Sequence, residues 1–479
     1  MVDGATLPER PNIVFMLTDQ MRGDCLSVTG HPVVRTPNID SLAQGGMAFT
    51  AAYSPCPSCI AARASIWTGL SPSNHGRLGY RDCVPWRYDN MLAQVLSDAG
   101  YQTHCVGKTH FFPQRAHLGF QSLESYEGLQ NFGGTYVNDY HEWLREKTGW
   151  PLAELEHGLN SNSWNARPSP LPEELHNSTW VATRGLEFLR KRDRTRPFFL
   201  NLSFHRPHPP IDPPQAFYDM YANRELPAAP VGDWAGYHNV PVGRLDCWHG
   251  RLADDVLMHT RRAYYAQIAH IDAQIGRVLL AVRALKLGPT VFIFTADHGE
   301  MLGDHHMFRK SYAYEGSARV PLVIGPMEGA DPKEHFSDAP VTLTDLYPTI
   351  LDIAHVDVPP GCDGRSLVGL AGGSAGDKWR GYVHGEHSAC YHKDWAMQYL
   401  TDGREKYIWY TNTGHEQLFD LSKDPEELHD LAIEAPDQLK VWRQRMVEQL
   451  ASRPDDKLSD GTSLVCGSLP SVRPALLEQ

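Results

Sequence analysis

A cysteine followed four residues later by an arginine is the pairing in this chain with the most chemical content. It lies in the run Ser54-Pro-Cys-Pro-Ser-Cys59-Ile-Ala-Ala-Arg63-Ala-Ser-Ile-Trp-Thr-Gly69. Residues 60–67 contain no helix breaker, Ala61, Ala62 and Ala64 are strong helix formers, and Gly69 can end the segment. Cys59 is therefore expected at the N-cap or in the first turn of a helix. Unpaired backbone N–H groups and the helix dipole favour negative charge there, and Arg63 lies one turn on along the same face. The pair makes an anion site with a potential nucleophile inside it.

Four further polar clusters each follow a short apolar run. Ile13-Val-Phe-Met-Leu17 precedes Asp19 and Gln20; Thr103-His-Cys-Val106 precedes Lys108 and His110; Phe198-Phe-Leu-Asn-Leu202 precedes His205; and Val291-Phe-Ile-Phe294 precedes Asp297 and His298. Such runs, bounded by turn-forming residues, read as strands buried on both faces of a parallel or mixed sheet. Ligands of these sheets bind beyond the carboxyl ends of the strands, where all four clusters fall. Asp19, Gln20, Asp297 and His298 offer three oxygen donors and one imidazole. Buried carboxylates without compensation are costly, and a divalent cation is a common remedy. The mostly oxygen shell suits Ca²⁺ first; the imidazole also admits Mn²⁺, with Mg²⁺ third.

Helices must hold these strand ends in place. Thr36-Pro37 starts one that runs to Gly45; residues 90–99 form another, closed by Gly100; and from Arg262 to Leu287 a stripe including Ile268, Ile271, Ile275 and Val278 follows helical spacing to Gly288. Alternating strands and helices predict an α/β domain with a large, mostly parallel or mixed sheet between helical layers. The small, polar stretch Ala371-Gly-Gly-Ser-Ala-Gly-Asp377 marks the domain boundary, giving a domain over 1–375 and a smaller α+β domain over 376–479. Within the latter, Ala396–Thr401 and Arg404–Tyr410 flank Asp402-Gly403 as a hairpin, Gln417–Asp420 adds a strand, residues 435–451 form a helix, and a Gly/Ser/Pro-containing tail follows Leu458. Residues 121–180 and 225–255 show no clear period and read as loops, the usual place for specificity.

At 479 residues and 53.7 kDa the chain is too long for one ordinary core, which agrees with two domains. A net charge of −13 with no basic run argues against nucleic acid, so an anionic ligand must be met by a local positive site. No apolar stretch reaches transmembrane length and the N-terminus lacks a basic, then apolar leader, so no membrane association and a cytoplasmic location are expected. Nine irregularly spaced cysteines fit a reducing compartment. The Cys56-x-x-Cys59 pair has no second pair at zinc spacing, and a zinc or redox site ranks low.

Seven segments together resemble the formylglycine-dependent sulfatases, arylsulfatase-like members of the alkaline phosphatase superfamily, in the order that family shows. They are Arg10–Gln20, Thr36–Asp40, the Cys59 stretch, Gly107-Lys-Thr-His110, Ser203–His208, Phe294–Glu300 and Arg309-Lys310. Ala61 and Ala62 replace the proline and serine usual in the family's Cys-x-Pro-Ser-Arg signature, and alanine at the proline position is an allowed variant. The resemblance implies an alkaline-phosphatase-like fold and hydrolysis of a sulfate monoester, the alcohol being aryl, alkyl or sugar. It implies Asp19, Gln20, Cys59, Asp297 and His298 as ligands of one divalent cation. It also places Arg63, Lys108, His110, His205 and Lys310 in the catalytic pocket. Cys59 is then the residue oxidised to formylglycine by a formylglycine-generating enzyme. Its hydrate can attack sulfur, and deprotonation of the remaining hydroxyl expels sulfate and regenerates the aldehyde. Arg63, Lys108 and Lys310 would hold sulfate oxygens, His205, with Lys310, would protonate the leaving alcohol, and His110 would assist the second step. His208, Asp304, His305 and His306 are expected behind the pocket or along its wall. The alternatives are phosphonate monoester or phosphodiester hydrolysis in the same superfamily, and an unmodified protein that only binds anions; a homo-oligomer is compatible with either.

Overall fold

Eight strands form the central sheet of the structure, a computed structural model that describes residues 10–128, 136, 138–326, 335–371 and 378–477. In chain order the strands are β1 (Asn12–Asp19), β2 (Met47–Phe49), β3 (Ala52–Tyr53), β4 (Gln102–Gly107), β5 (Ser122–Ser125), β6 (Phe198–Pro207), β7 (Thr290–Ala296), β8 (Leu322–Gly325), β9 (Phe336–Ser337) and β10 (Val341–Thr342). The sheet order is β5-β4-β6-β1-β7-β8-β2-β9, with β3 and β10 paired separately. From β5 to β7 every pairing is parallel, while β8 runs antiparallel to both of its neighbours. The carboxyl ends of β1, β4, β6 and β7 therefore share one edge, and the four polar clusters meet there.

Alternate side chains of these strands enter separate helical layers, which is why the runs are apolar throughout. Phe15 of β1 packs edge-on to Trp67 of helix Cys59–Thr68, and Phe199 of β6 stacks near Phe120, itself against Trp67. Leu202, three residues along β6, points instead at Gly185 of helix Asn177–Lys191, where an added Cβ would lie 2.6 Å from its Cδ2. That helix packs with Asp254–Ala284, whose apolar stripe is core as expected. It begins two turns before Arg262, because its first turns carry Asp254 and Asp255, favourable at a helix N-terminus and invisible to an apolar period. The predicted loop segment 121–180 also holds β5 and helix Asp139–Thr148.

Four antiparallel strands follow: β11 (Val383–His387), β12 (Met397–Thr401), β13 (Glu405–Tyr410) and β14 (Glu416–Asp420). The hairpin at Asp402-Gly403, the strand at Gln417–Asp420 and a helix, Pro436–Ala451, are all present. Leu400, Tyr407, Trp409 and Leu418 face that helix at Trp442 and Met446, while Tyr399, Ile408 and Phe419 join Tyr53, Tyr312 and Tyr314 of the large unit. The period of two thus decides which side chains seal this sheet to the rest of the chain. Buried Lys406 crosses the seam to Glu315 at 2.6 Å. The tail after Leu458 returns to the large unit, with Leu78 N donating to Ser471 O and Arg473 N to Gly76 O, each at 2.8 Å. The expected boundary at 375/376 lies within 372–377, outside the described residues.

Candidate active site

Asp19 ends β1 and Asp297 follows β7, so two parallel neighbours deliver two carboxylates side by side. Gln20 N donates to Asp297 Oδ1 at 3.2 Å, and Arg63 reaches both acids. His298 donates from Nδ1 to Gly299 O at 2.9 Å, which leaves the Nε2 lone pair facing the carboxylates at 3.6–3.7 Å. Cys59 is the first residue of helix Cys59–Thr68, after the N-cap Ser58; Gly69 stops the helix in the left-handed region, φ 70°. Cys59 Sγ lies 3.1 Å from His298 Nε2 and 3.7 Å from Asp19 Oδ1. One ligand atom from each of Asp19, Cys59, Asp297 and His298 falls within 4.8 Å of all the others, and all four residues are buried. Two carboxylates, a sulfur and an imidazole lone pair converging in this way fit a divalent cation. Gln20 stands beside the group, its carbonyl accepting from Lys310 Nζ at 2.5 Å and its amide donating to Glu300.

Cations surround the acids. Lys108 Nζ is 2.6 Å from Asp19 Oδ2. Burial by itself would raise the Asp19 carboxyl, but Lys108, with His208, His298 and Lys310, holds it well below the usual carboxylate range. The Cys59 thiol moves the other way, up to about 11, through burial and the neighbouring Asp19. Without a cation in place it is a neutral thiol at neutral pH and a poor nucleophile. Arg63 is bound to both acids and to the neighbouring strand ends. Its Nε donates to Asp297 Oδ2 at 2.8 Å, its Nη1 to Lys108 O at 2.7 Å and Ser203 Oγ at 2.9 Å, and its Nη2 faces Asp19 Oδ2 at 3.5 Å. It is fully buried and in ion-pair contact with both acids.

A cavity of about 320 Å³ opens over this cluster, lined by Cys59, Lys108, His110, His205, His208 and Lys310 among others. Gly107 makes the entry possible: at φ 104° it turns the chain out of β4, and a Cβ there would lie 1.9 Å from Ser203 O. The next residues are held by Glu127, which accepts from Thr109 N (2.8 Å), Thr109 Oγ1 (2.5 Å) and His110 N (3.0 Å). His110 sits at φ 59° in that cradle, and burial, with Lys108 and Arg63, pushes its imidazole well below the usual range. Lys310 Nζ donates to His208 Nε2 at 2.9 Å, and His208 Nδ1 donates to Pro209 O, so His208 aims Lys310.

His205 has its tautomer fixed by a neighbour. Arg206, locked to Asp212 at 2.7 Å, donates to His205 Nδ1 at 2.9 Å, so the ring proton resides on Nε2. Burial, with Lys108, His208 and Arg206, holds the ring well below the usual histidine range. A neutral imidazole in this tautomer presents its Nε2–H as a hydrogen-bond donor.

Sequence reasoning passed over Glu127, because it follows Ser122–Ser125, a strand with a single large apolar side chain. It placed Asp304, His305 and His306 near the pocket. They do not line it: Asp304 pairs with Arg22 and Arg261 at 2.7 and 2.8 Å, and His305 borders a separate cavity.

The Sulfatase family model matches residues 11–356, and the model described as N-sulphoglucosamine sulphohydrolase, C-terminal, matches residues 303–455. The chain is 41% identical over 477 residues to an arylsulfatase of Clostridium perfringens, covering 96% of this chain and 98% of that one. Among solved structures, phosphonate monoester hydrolase of Agrobacterium radiobacter superposes with a TM-score of 0.76 at 25% identity, covering 95% of this chain and 99% of that chain. A protein solved in complex with its substrate D-glucosamine-2-N,6-O-disulfate superposes at 0.74 and 21% identity, over 94% and 99%; at that identity it speaks to the fold alone.

Proposed function

This chain belongs to the sulfatase family and is a sulfuric ester hydrolase, and from that premise we propose that it cleaves sulfate monoesters with Cys59 converted to formylglycine. The observation that carries the proposal is the placement of Cys59 Sγ against His298 and Asp19, where the thiol is neutral and a poor nucleophile as it stands. Asp19, Cys59, Asp297 and His298, with Gln20 beside them, would hold one divalent cation, Ca²⁺ first by the donor set, then Mn²⁺, then Mg²⁺. When bound, the cation supplies a Lewis acid that lowers the pKa of an adjacent hydroxyl and offsets charge on the ester. Arg63 would hold the two carboxylates in place. Lys108, freed in part from Asp19, and His205 Nε2–H would donate to the terminal oxygens. Lys310, steered by His208 and Gln20, would deliver a proton to the leaving alcohol, and His110, in its neutral form, would accept the proton of the second step. The substrate class is a small-molecule or saccharide sulfate ester, and the modification requires a formylglycine-generating enzyme as partner. Among the described residues no helix is long and apolar enough to cross a membrane.

Peptide mass spectrometry of the Cys59 segment from the native host is expected to show sulfur replaced by aldehyde oxygen in at least part of the protein. A fully active preparation containing only the thiol would remove Cys59 from the nucleophile's place.

Similarity to a phosphonate monoester hydrolase supports a second reading, in which phosphonate monoesters or phosphodiesters are the better substrates. Lys108 separates the two. A sulfate monoester has three non-bridging oxygens for it and its neighbours to hold, whereas a diester has two and a second organic group. Lys108→Ala should cost sulfate monoesters about 10²–10³ in kcat, as loss of a transition-state donor does, and diesters with the same leaving group less. Equal losses, or faster diester cleavage by the unaltered enzyme, would favour the second reading.

A further inference from the structure

One pocket cation has no task in the reaction as described. Arg309 lines the same cavity as Lys108 and Lys310. Lys108 is paired with Asp19, and Lys310 with Gln20 and His208. Among the described residues no carboxylate lies within ion-pair distance of Arg309. Its Nη2 donates only to the backbone carbonyl of Asp246, whose carboxylate is taken by Arg244 at 2.9 Å. The guanidinium lies over the ring of Tyr391, 5.7 Å from its centroid, and Tyr391 lines the cavity too. Its Nε–H is buried and meets no acceptor.

The backbone holds this residue where it is. Arg309 has φ 70°, a conformation a long side chain adopts only when its surroundings impose it. The constraint is Glu300, which accepts from Arg309 N at 2.5 Å and Leu302 N at 2.8 Å and also binds the Gln20 amide. Glu300 thus ties Arg309 to the residues beside the carboxylate cluster. A guanidinium fixed at a pocket wall and flanked by a ring, with no carboxylate among the described residues in ion-pair contact, is suited to an oxyanion supplied from outside.

We propose that Arg309 is a specificity-determining residue that binds an anionic substituent on the alcohol portion of the sulfate ester, so that acidic alcohols are the preferred substrate class. The inference rests on the sulfatase reading of the pocket. Polar side chains of Ser161 and Asn162, which line the same cavity, suit the hydroxyls of such an alcohol.

The test compares three aryl sulfates on the formylglycine-containing enzyme: para-carboxyphenyl sulfate, para-sulfonatophenyl sulfate, and the methyl ester of the first, whose ring substituent is uncharged. The readout is the ratio of kcat/KM on each charged ester to that on the uncharged one, so intrinsic leaving-group differences cancel between enzyme forms. Arg309→Met should lower the ratio by about 10- to 100-fold, the range for a hydrogen bond to a charged group, and Arg309→Lys, keeping charge without the fork, should fall between. The two charged arms show whether carboxylate or sulfonate is the better partner. The unaltered enzyme provides an independent arm: the ratio should fall as ionic strength rises. Repulsion by the net charge of −13 would by itself produce the opposite trend. A ratio unmoved in Arg309→Met overturns the proposal. If that variant is inactive on every ester, a salt-independent or rising ratio in the unaltered enzyme overturns it. Failure of the sulfatase reading would look different, with no ester hydrolysed by any form.

Discussion

Replacing Cys59 by alanine is expected to abolish sulfate ester hydrolysis, with kcat falling on the order of 10⁵–10⁶, as removal of a nucleophile does in hydrolases that form a covalent intermediate. The size of the effect follows from position. Cys59 is the first residue of a wholly buried helix, its side chain is one of four converging on a single point, and the other three are two carboxylates paired with Arg63 and Lys108 and an imidazole bonded to Gly299. His298 cannot take over, since its Nδ1 is committed to Gly299 O and its Nε2 to the cluster. The fold should survive, because the change removes one sulfur at a site where Asp19 and Asp297 keep Arg63 and Lys108 as partners. Turnover of an aryl sulfate and a thermal melt together check this. Substantial residual turnover in Cys59→Ala would mean that another group attacks sulfur.

Asp297→Asn should produce the second largest effect, with divalent metal content lost on dialysis and kcat lower by at least about 10³-fold. A Lewis acid at such a site supplies several kcal/mol of transition-state stabilisation. The exchange is nearly isosteric, so the backbone donors Gln20 N and His298 N, which both reach Asp297 Oδ1, keep an acceptor. What disappears is a charge. Arg63 Nε donates to Asp297 Oδ2 at 2.8 Å, and the remaining acid, Asp19, is 3.5 Å from Nη2 and already serves Lys108. Breaking a buried pair leaves an uncompensated charge, a cost of about 3–5 kcal/mol, so the variant should also melt earlier. Metal analysis, steady-state kinetics and a melting curve read the three consequences separately. Retained metal with normal turnover would exclude Asp297 from the ligand set.

Both substitutions act on residues that the sequence already singled out, and the reason is the length scale of the signal. Continuous apolar runs state that a strand is covered on both faces, and parallel pairing puts the next residues of each strand on one edge. Asp19, Lys108, His110, His205, Asp297 and His298 could therefore be gathered before any coordinates were known. The helix holding Cys59 was equally legible from alanines and a terminal glycine, as were the hairpin at Asp402-Gly403 and the helix after Ala435. These are local preferences of backbone and side chain, expressed within a dozen residues.

Partner choice is not local. Arg63 finds Ser203 at a separation of 140 residues and Asp297 at 234, and those bonds set its guanidinium against the carboxylates. The tautomer of His205 depends on Arg206, and Arg206 depends on Asp212 inside a proline-rich loop with no period. Glu127 carries no pattern at all, since it follows a short, mostly polar strand, and Arg309, although part of the Arg309-Lys310 pair, shows no sign in the sequence of the irregular turn in which Glu300 pins it. A hydrogen bond between distant side chains has no periodicity to betray it, because its existence depends on where two separately determined elements come to rest. The sequence alone determined which residues reach the strand ends and what class of chemistry they can perform. Only the tertiary structure decided which distant partner each of them meets, and so what it leans on.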